Sequence, residues 1–111
     1  MDVGKISGIL NKSGLSDKEI DAICQVFRNN LAIRRVILFG SRAKGTYKPF
    51  SDIDLAIDGL EDELAVAGIA LQLEELPLPY KFDVKSLDSI TSLPLIEHIE
   101  RVGITLYQNN A

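Results

Sequence analysis

Along this chain the period of the apolar positions changes several times, and each change marks an element. From Ser16 onward, Ile20, Ile23, Cys24 and Phe27 recur at helical spacing, which predicts an amphipathic helix. Ser16 reads as its N-cap, with Glu19 three residues on completing a capping box, and Asn29-Asn30 as its end. Val36 to Phe39 is a nearly continuous apolar run, the pattern of a central strand covered on both faces. Gly40 breaks it, Ser41 to Lys44 fit one helical turn before Gly45, and Thr46 to Phe50, with Pro49, read as a loop. Asp52 to Ile57 alternate polar and apolar, the signature of a half-buried strand punctuated by Gly59.

Leu60 to Leu76 return to helical spacing, with Leu60, Leu64, Ala67 and Leu71 as the expected stripe beside Ile69 and Leu73. Pro77 and Pro79 end that helix. Tyr80 to Lys85 alternate again, placing Tyr80, Phe82 and Val84 on one face and Lys81, Asp83 and Lys85 on the other. Thr91 or Ser92 can cap a last helix that carries Leu95, Ile96, Ile99 and Val102 and stops at Gly103. Ile104 to Tyr107 read as a final strand and Gln108 to Ala111 as a frayed tail. Residues 1–15 stay open, because Gly4, Gly8 and Gly14 weaken any helix there. The order α-β-(short α)-β-α-β-α-β predicts an α/β (α+β) fold, a small mixed β-sheet flanked by helices, with residues 1–111 forming one domain.

Composition narrows the partners. A formal net charge of −4 gives no strong case for direct nucleic-acid binding through a basic surface. No apolar run approaches the ~20 residues that cross a bilayer, and Met1 to Leu10 lack the pattern of a secretory signal, so no membrane contact is expected. One cysteine cannot pair within the chain, and Cys24 lies on a core stripe; a reducing, cytoplasmic setting is expected.

Three features carry candidate chemistry. Strand alternation puts Asp52 and Asp54 on one face while Ile53, Leu55 and Ile57 take the other. Two adjacent carboxylates repel each other unless a cation lies between them, and hard oxygen ligands suit Mg²⁺. The Gly40-Ser41 turn lets a backbone approach an anionic ligand closely, and the Ser41 hydroxyl can donate to phosphate. Asp83 is the third acid; if its strand lies beside that of Asp52, three carboxylates share one sheet face. Three such ligands can hold two ions ~4 Å apart, the arrangement for in-line displacement at phosphorus. Arg42 lies close enough to the turn to help position phosphate, and Lys81 and Lys85 could offset negative charge around Asp83. His98, among Glu97, Glu100 and Arg101, reads as part of a solvated helix face. A P-loop is excluded, since no lysine stands between Gly45 and Thr46.

Phe39-Gly40-Ser41-Arg42-Ala43-Lys44-Gly45, then Ser51-Asp52-Ile53-Asp54-Leu55, with a separate Phe82-Asp83-Val84, resembles the signature of the minimal nucleotidyltransferase (MNT) family, within the DNA polymerase beta-like superfamily. The resemblance covers most of the chain and implies that superfamily's fold. It implies that Gly40, Ser41 and Arg42 bind the nucleotide phosphates, and that Asp52, Asp54 and Asp83 are the catalytic, metal-holding acids. It implies Mg²⁺ in a two-metal site and ATP as co-substrate. Many MNT proteins pair with a HEPN-domain toxin encoded nearby, so the leading expectation is transfer of AMP from ATP to a tyrosine of that toxin. The alternatives are an antitoxin that neutralises by binding alone, or a nucleotidyltransferase subunit acting on a small molecule.

Overall fold

A computed structural model describes residues 11–109. The readings for residues 1–10 and for Asn110 and Ala111 lie outside the described residues. After a 3-10 turn at Asn11–Ser13 come α1 (Asp17–Arg28), β1 (Arg35–Phe39), a short α2 (Gly40–Lys44), β2 (Ile53–Asp58), α3 (Glu63–Glu74), β3 (Phe82–Ser86), a 3-10 turn at Leu87–Ser89, α4 (Leu93–Val102) and β4 (Ile104–Gln108). The predicted element order holds, with strand boundaries moved by one or two residues.

Local chemistry explains where the helices start and stop. The Ser16 hydroxyl accepts from the Glu19 N–H at 3.2 Å, and the Glu19 carboxylate accepts from the Ser16 N–H at 2.9 Å, a complete capping box. Asp62 caps α3 by accepting from Leu64 N–H, and Ser92 caps α4 by accepting from Leu95 N–H. Gly45 ends α2 in the left-handed region, at φ 80°.

The sheet order is β3-β2-β1-β4. β1 is central and antiparallel to both β2 and β4, while β2 and β3 run parallel across the α3 crossover. The expected frayed tail is corrected at its start: Gln108 pairs with Arg35, and Asn109 N–H donates to the Arg34 carbonyl at 2.8 Å.

Alternation gives the two sheet faces different cores. Ile53, Leu55 and Ile57 join Val36 and Leu38 beneath α1 and α3, packing on Ile23, Phe27, Ile69 and Leu73, all 2% exposed or less. Each such side chain contributes roughly 1.5–3 kcal/mol by leaving water. Cys24 belongs to this layer; burial pushes its thiol up to about 11, and its Sγ lies 3.5 Å from the Leu106 carbonyl. The other face has a small core of Ile37, Phe39, Ala56 and Ile99 under α4.

One expectation fails on α3. Its buried residues are Val66, Ile69 and Leu73, whereas Leu64 is 82% exposed and Leu71 58%. The helix is apolar on nearly every side, so spacing alone admits two stripes, and packing on the sheet selects the one through Ile69. No described helix is long and apolar enough to cross a membrane.

Candidate active site

The site lies on the face with the smaller core, where β1 ends and β2 and β3 begin. The β1–β2 register sets Phe39 opposite Asp54, so the chain turns into Gly40-Ser41 beside the Asp54 carboxylate. Gly40 has φ +74°, and a Cβ there would overlap Asp54 Oδ2 and stand 3.0 Å from its Cγ. Glycine is therefore required twice, for the backbone angle and for the space. Ser41 is half-buried, and among the described residues its hydroxyl has no protein partner.

The parallel β2–β3 register pairs Asp54 with Asp83 directly. The Ile53 N–H donates to the Lys81 carbonyl at 2.9 Å and carries that ladder back to the level of Asp52. Asp52, two residues before Asp54, is exposed at the mouth of the same face. The acids feel one another: the Asp54 carboxyl is pushed up to about 6, first by burial, then by the charges of Asp83 and Asp52, with Lys85 pulling the other way. Lys85 Nζ stands 3.5 Å from Asp83 Oδ1. Among the described residues no group of three or more His, Cys, Asp and Glu side chains is gathered closely enough to hold a metal ion as the side chains stand.

Arg42 departs from its predicted role. Its guanidinium is 1% exposed and donates to the carbonyls of Ser13 at 2.7 Å, Ser51 at 3.1 Å and Pro49 at 3.3 Å. It also lies 5.0 Å from the Tyr47 ring centroid and 4.7 Å from that of Tyr80. These contacts tie the Thr46–Phe50 loop to the start of the described chain. Three of its five N–H donors are taken, and at 1% exposure the side chain has almost no surface to offer a phosphate.

His98 is the residue that sequence reasoning missed. Instead of facing solvent it is half-buried, edge-on to the Phe39 ring, and its Nε2 accepts the Gly40 N–H at 3.0 Å. Gly40 therefore serves the site through its missing side chain, its own N–H being held by α4. A signal was present: His98 stands three residues after Leu95 and four before Val102, on the apolar side of α4.

The profile of the family described as "Polymerase beta, Nucleotidyltransferase" matches residues 21–111. The chain belongs to this nucleotidyltransferase family. Among solved structures it is similar to a toxin–antitoxin complex with AMP-PNP, at 28% identity and TM-score 0.68 over 82% of this chain and 74% of that one. It is also similar to the MntA–HepT toxin–antitoxin pair, at 24% identity and TM-score 0.63 over 85% and 74%. A third likeness is to a tri-AMPylated Shewanella oneidensis HEPN toxin in complex with an MNT antitoxin, at 23% identity and TM-score 0.65 over 86% and 74%. The latter two likenesses concern the fold. No curated protein sequence matches the chain significantly.

This nucleotidyltransferase has a donor set that fits a hard divalent cation. Asp54 and Asp83 are paired by register and Asp52 stands two residues before Asp54 on the same strand face, so the donors are hard carboxylate oxygens of the kind Mg²⁺ takes. The same face offers an unpartnered serine hydroxyl next to the carboxylates, across a glycine that leaves room for a ligand.

Proposed function

We propose that the chain transfers AMP from ATP to a protein hydroxyl, a tyrosine of a HEPN toxin encoded nearby, and acts as the antitoxin of that pair. The observation that carries this reading is the register that sets Asp83 against Asp54, beside a glycine-serine turn. The likeness to a toxin–antitoxin complex with AMP-PNP supports it. ATP as donor puts the reaction in the cytoplasm.

The residues divide the work by position. Ser41, at the end of β1, would donate to the triphosphate and hold its leaving end. Asp52 and Asp54, with Asp83 joining them, would hold Mg²⁺. When bound, the metal neutralises triphosphate charge and makes the attacking hydroxyl more acidic. Asp83, on the far side of Asp54 from the turn, would accept the hydroxyl proton. In the transfer the acceptor oxygen forms a bond to the α-phosphorus. The bond from that phosphorus to the oxygen bridging toward the β-phosphorus breaks, and pyrophosphate leaves with the electron pair.

Purified chain and its neighbour-encoded partner, incubated with labelled ATP and Mg²⁺, test this. The wild type labels the partner and Asp52→Ala does not; equal labelling by both sinks the reading. If replacing Asp52, Asp54 and Asp83 together still rescues toxin-expressing cells, the chain neutralises by binding alone.

A further inference from the structure

In an in-line displacement the attacking oxygen stands opposite the departing pyrophosphate. Here the serine turn follows β1, Asp54 lies on β2 and Asp83 on β3, so the approach opposite the turn runs in from the β3 side. Among the described residues β3 is an edge strand. Because the Ile53 N–H bonds the Lys81 carbonyl, alternation along a parallel ladder turns the backbone of Asp83 and Lys85 toward β2 and that of Val84 and Ser86 outward.

Beyond that edge lies a cavity of about 470 Å³, with Lys85 and Ser86 at its floor, Ala67 and Ala70 on one wall, and Ile90 and Leu95 on the other. Lys85 links it to the catalytic face, its ammonium standing 3.5 Å from Asp83 Oδ1. Ser86 itself is buried, and among the described residues its hydroxyl has no hydrogen-bond partner. A buried hydroxyl without a partner costs free energy. Ala67 also shares a helix face with Leu64 and Leu71, the two leucines that α3 leaves in water. A polar-floored cavity would serve a small ligand; the apolar strip running on from it fits a polypeptide.

We propose that the β3-edge groove, together with the Leu64–Leu71 strip of α3, seats the acceptor protein, an extended segment lying along β3 and presenting its hydroxyl to Asp83. The inference rests on the reading of AMP transfer to a protein. Ser86 is three residues from Asp83, so a segment bonded at Ser86 spans roughly 10 Å to the catalytic face.

Leu64→Asp, Leu71→Asp and Ala67→Trp test it at exposed positions of a helix, where folding tolerates change. Three measurements are made on each: labelled AMP transfer to the neighbour-encoded partner, affinity for that partner, and affinity for AMP-PNP with Mg²⁺. The expected result is at least a tenfold rise in the KM for the partner, a matching loss of partner affinity, and AMP-PNP affinity within twofold of wild type. Transfer and partner affinity both within twofold of wild type in all three variants would overturn the proposal. So would a loss of AMP-PNP affinity in Ala67→Trp, which would give the cavity to the nucleotide. Should the wild type bind its partner without modifying it, while the variants weaken that complex, the groove stands and the transfer reading falls.

Discussion

The two faces of β2 are made from one short segment and do opposite things. Ile53, Leu55 and Ile57 are fully buried and add to stability, whereas Asp52 and Asp54 face their own kind and Asp83, an arrangement that lowers it. A strand selected for stability alone would not set carboxylates at paired positions of neighbouring strands. The contrast shows that the apolar face carries the strain the chemical face imposes.

The sharpest way to break this contrast is at Asp54. Asp54→Asn is expected to lower AMP transfer at least a thousandfold, about 4 kcal/mol of transition-state stabilisation, while the chain stays folded. Steady-state rates on the partner protein, with circular dichroism as the control, decide it; residual activity within tenfold would mean the carboxylate is dispensable. On the opposite face, Leu55→Ala is expected to destabilise by about 3 kcal/mol in denaturant melts and leave the specific activity of the folded fraction unchanged. An equal loss of both would erase the division between faces.

Arg42 sharpens the comparison, since the sequence assigned it to chemistry and the structure assigns it to architecture. Arg42→Ala leaves three carbonyls without their donor and two tyrosine rings without their cation, so a loss of about 3 kcal/mol is expected. AMP-PNP affinity measured well below the melting temperature should stay within twofold.

The smallest effect is electrostatic. With its carboxyl pushed up from 3.8 to about 6, Asp54 contributes its full stability below pH 3.8, where it is protonated whether the chain is folded or not. As pH rises through about 6, the native carboxyl ionises against its neighbours and that contribution is lost. In metal-free buffer, Asp54→Asn should therefore gain thermal stability over the wild type as pH climbs through this window. After solvent screening of a half-exposed group the gap is on the order of 1 kcal/mol, a few degrees of melting temperature. A difference that does not change with pH would show that folding does not raise the Asp54 carboxyl.

What the sequence made legible was local. Strand alternation placed Asp52 and Asp54 on one face, the Ser16–Glu19 box started α1, and Gly45 stopped α2, because each depends only on neighbours within a turn or two. What stayed hidden needed distant partners. The stripe of α3 could not be chosen while both Leu64 and Ile69 were apolar. Arg42 looked available because the carbonyls of Ser13, Pro49 and Ser51 surround it only after the chain folds back. His98 was set aside on the charges beside it in sequence, although it meets Gly40 from 58 positions away. The three acidic positions were readable, but the register pairing Asp54 with Asp83 was not, since a parallel crossover fixes register only through packing.

That pairing also fixes when the molecule becomes competent. Asp83 reaches Asp54 across 29 positions of chain, and α4, which holds Gly40, follows later still. During synthesis the β1–β2 hairpin can close early, yet it lacks both the third acid and the clasp on its glycine. Under the proposed reading, a chain cut before His98 is expected to show no AMP transfer, because it lacks the clasp on Gly40.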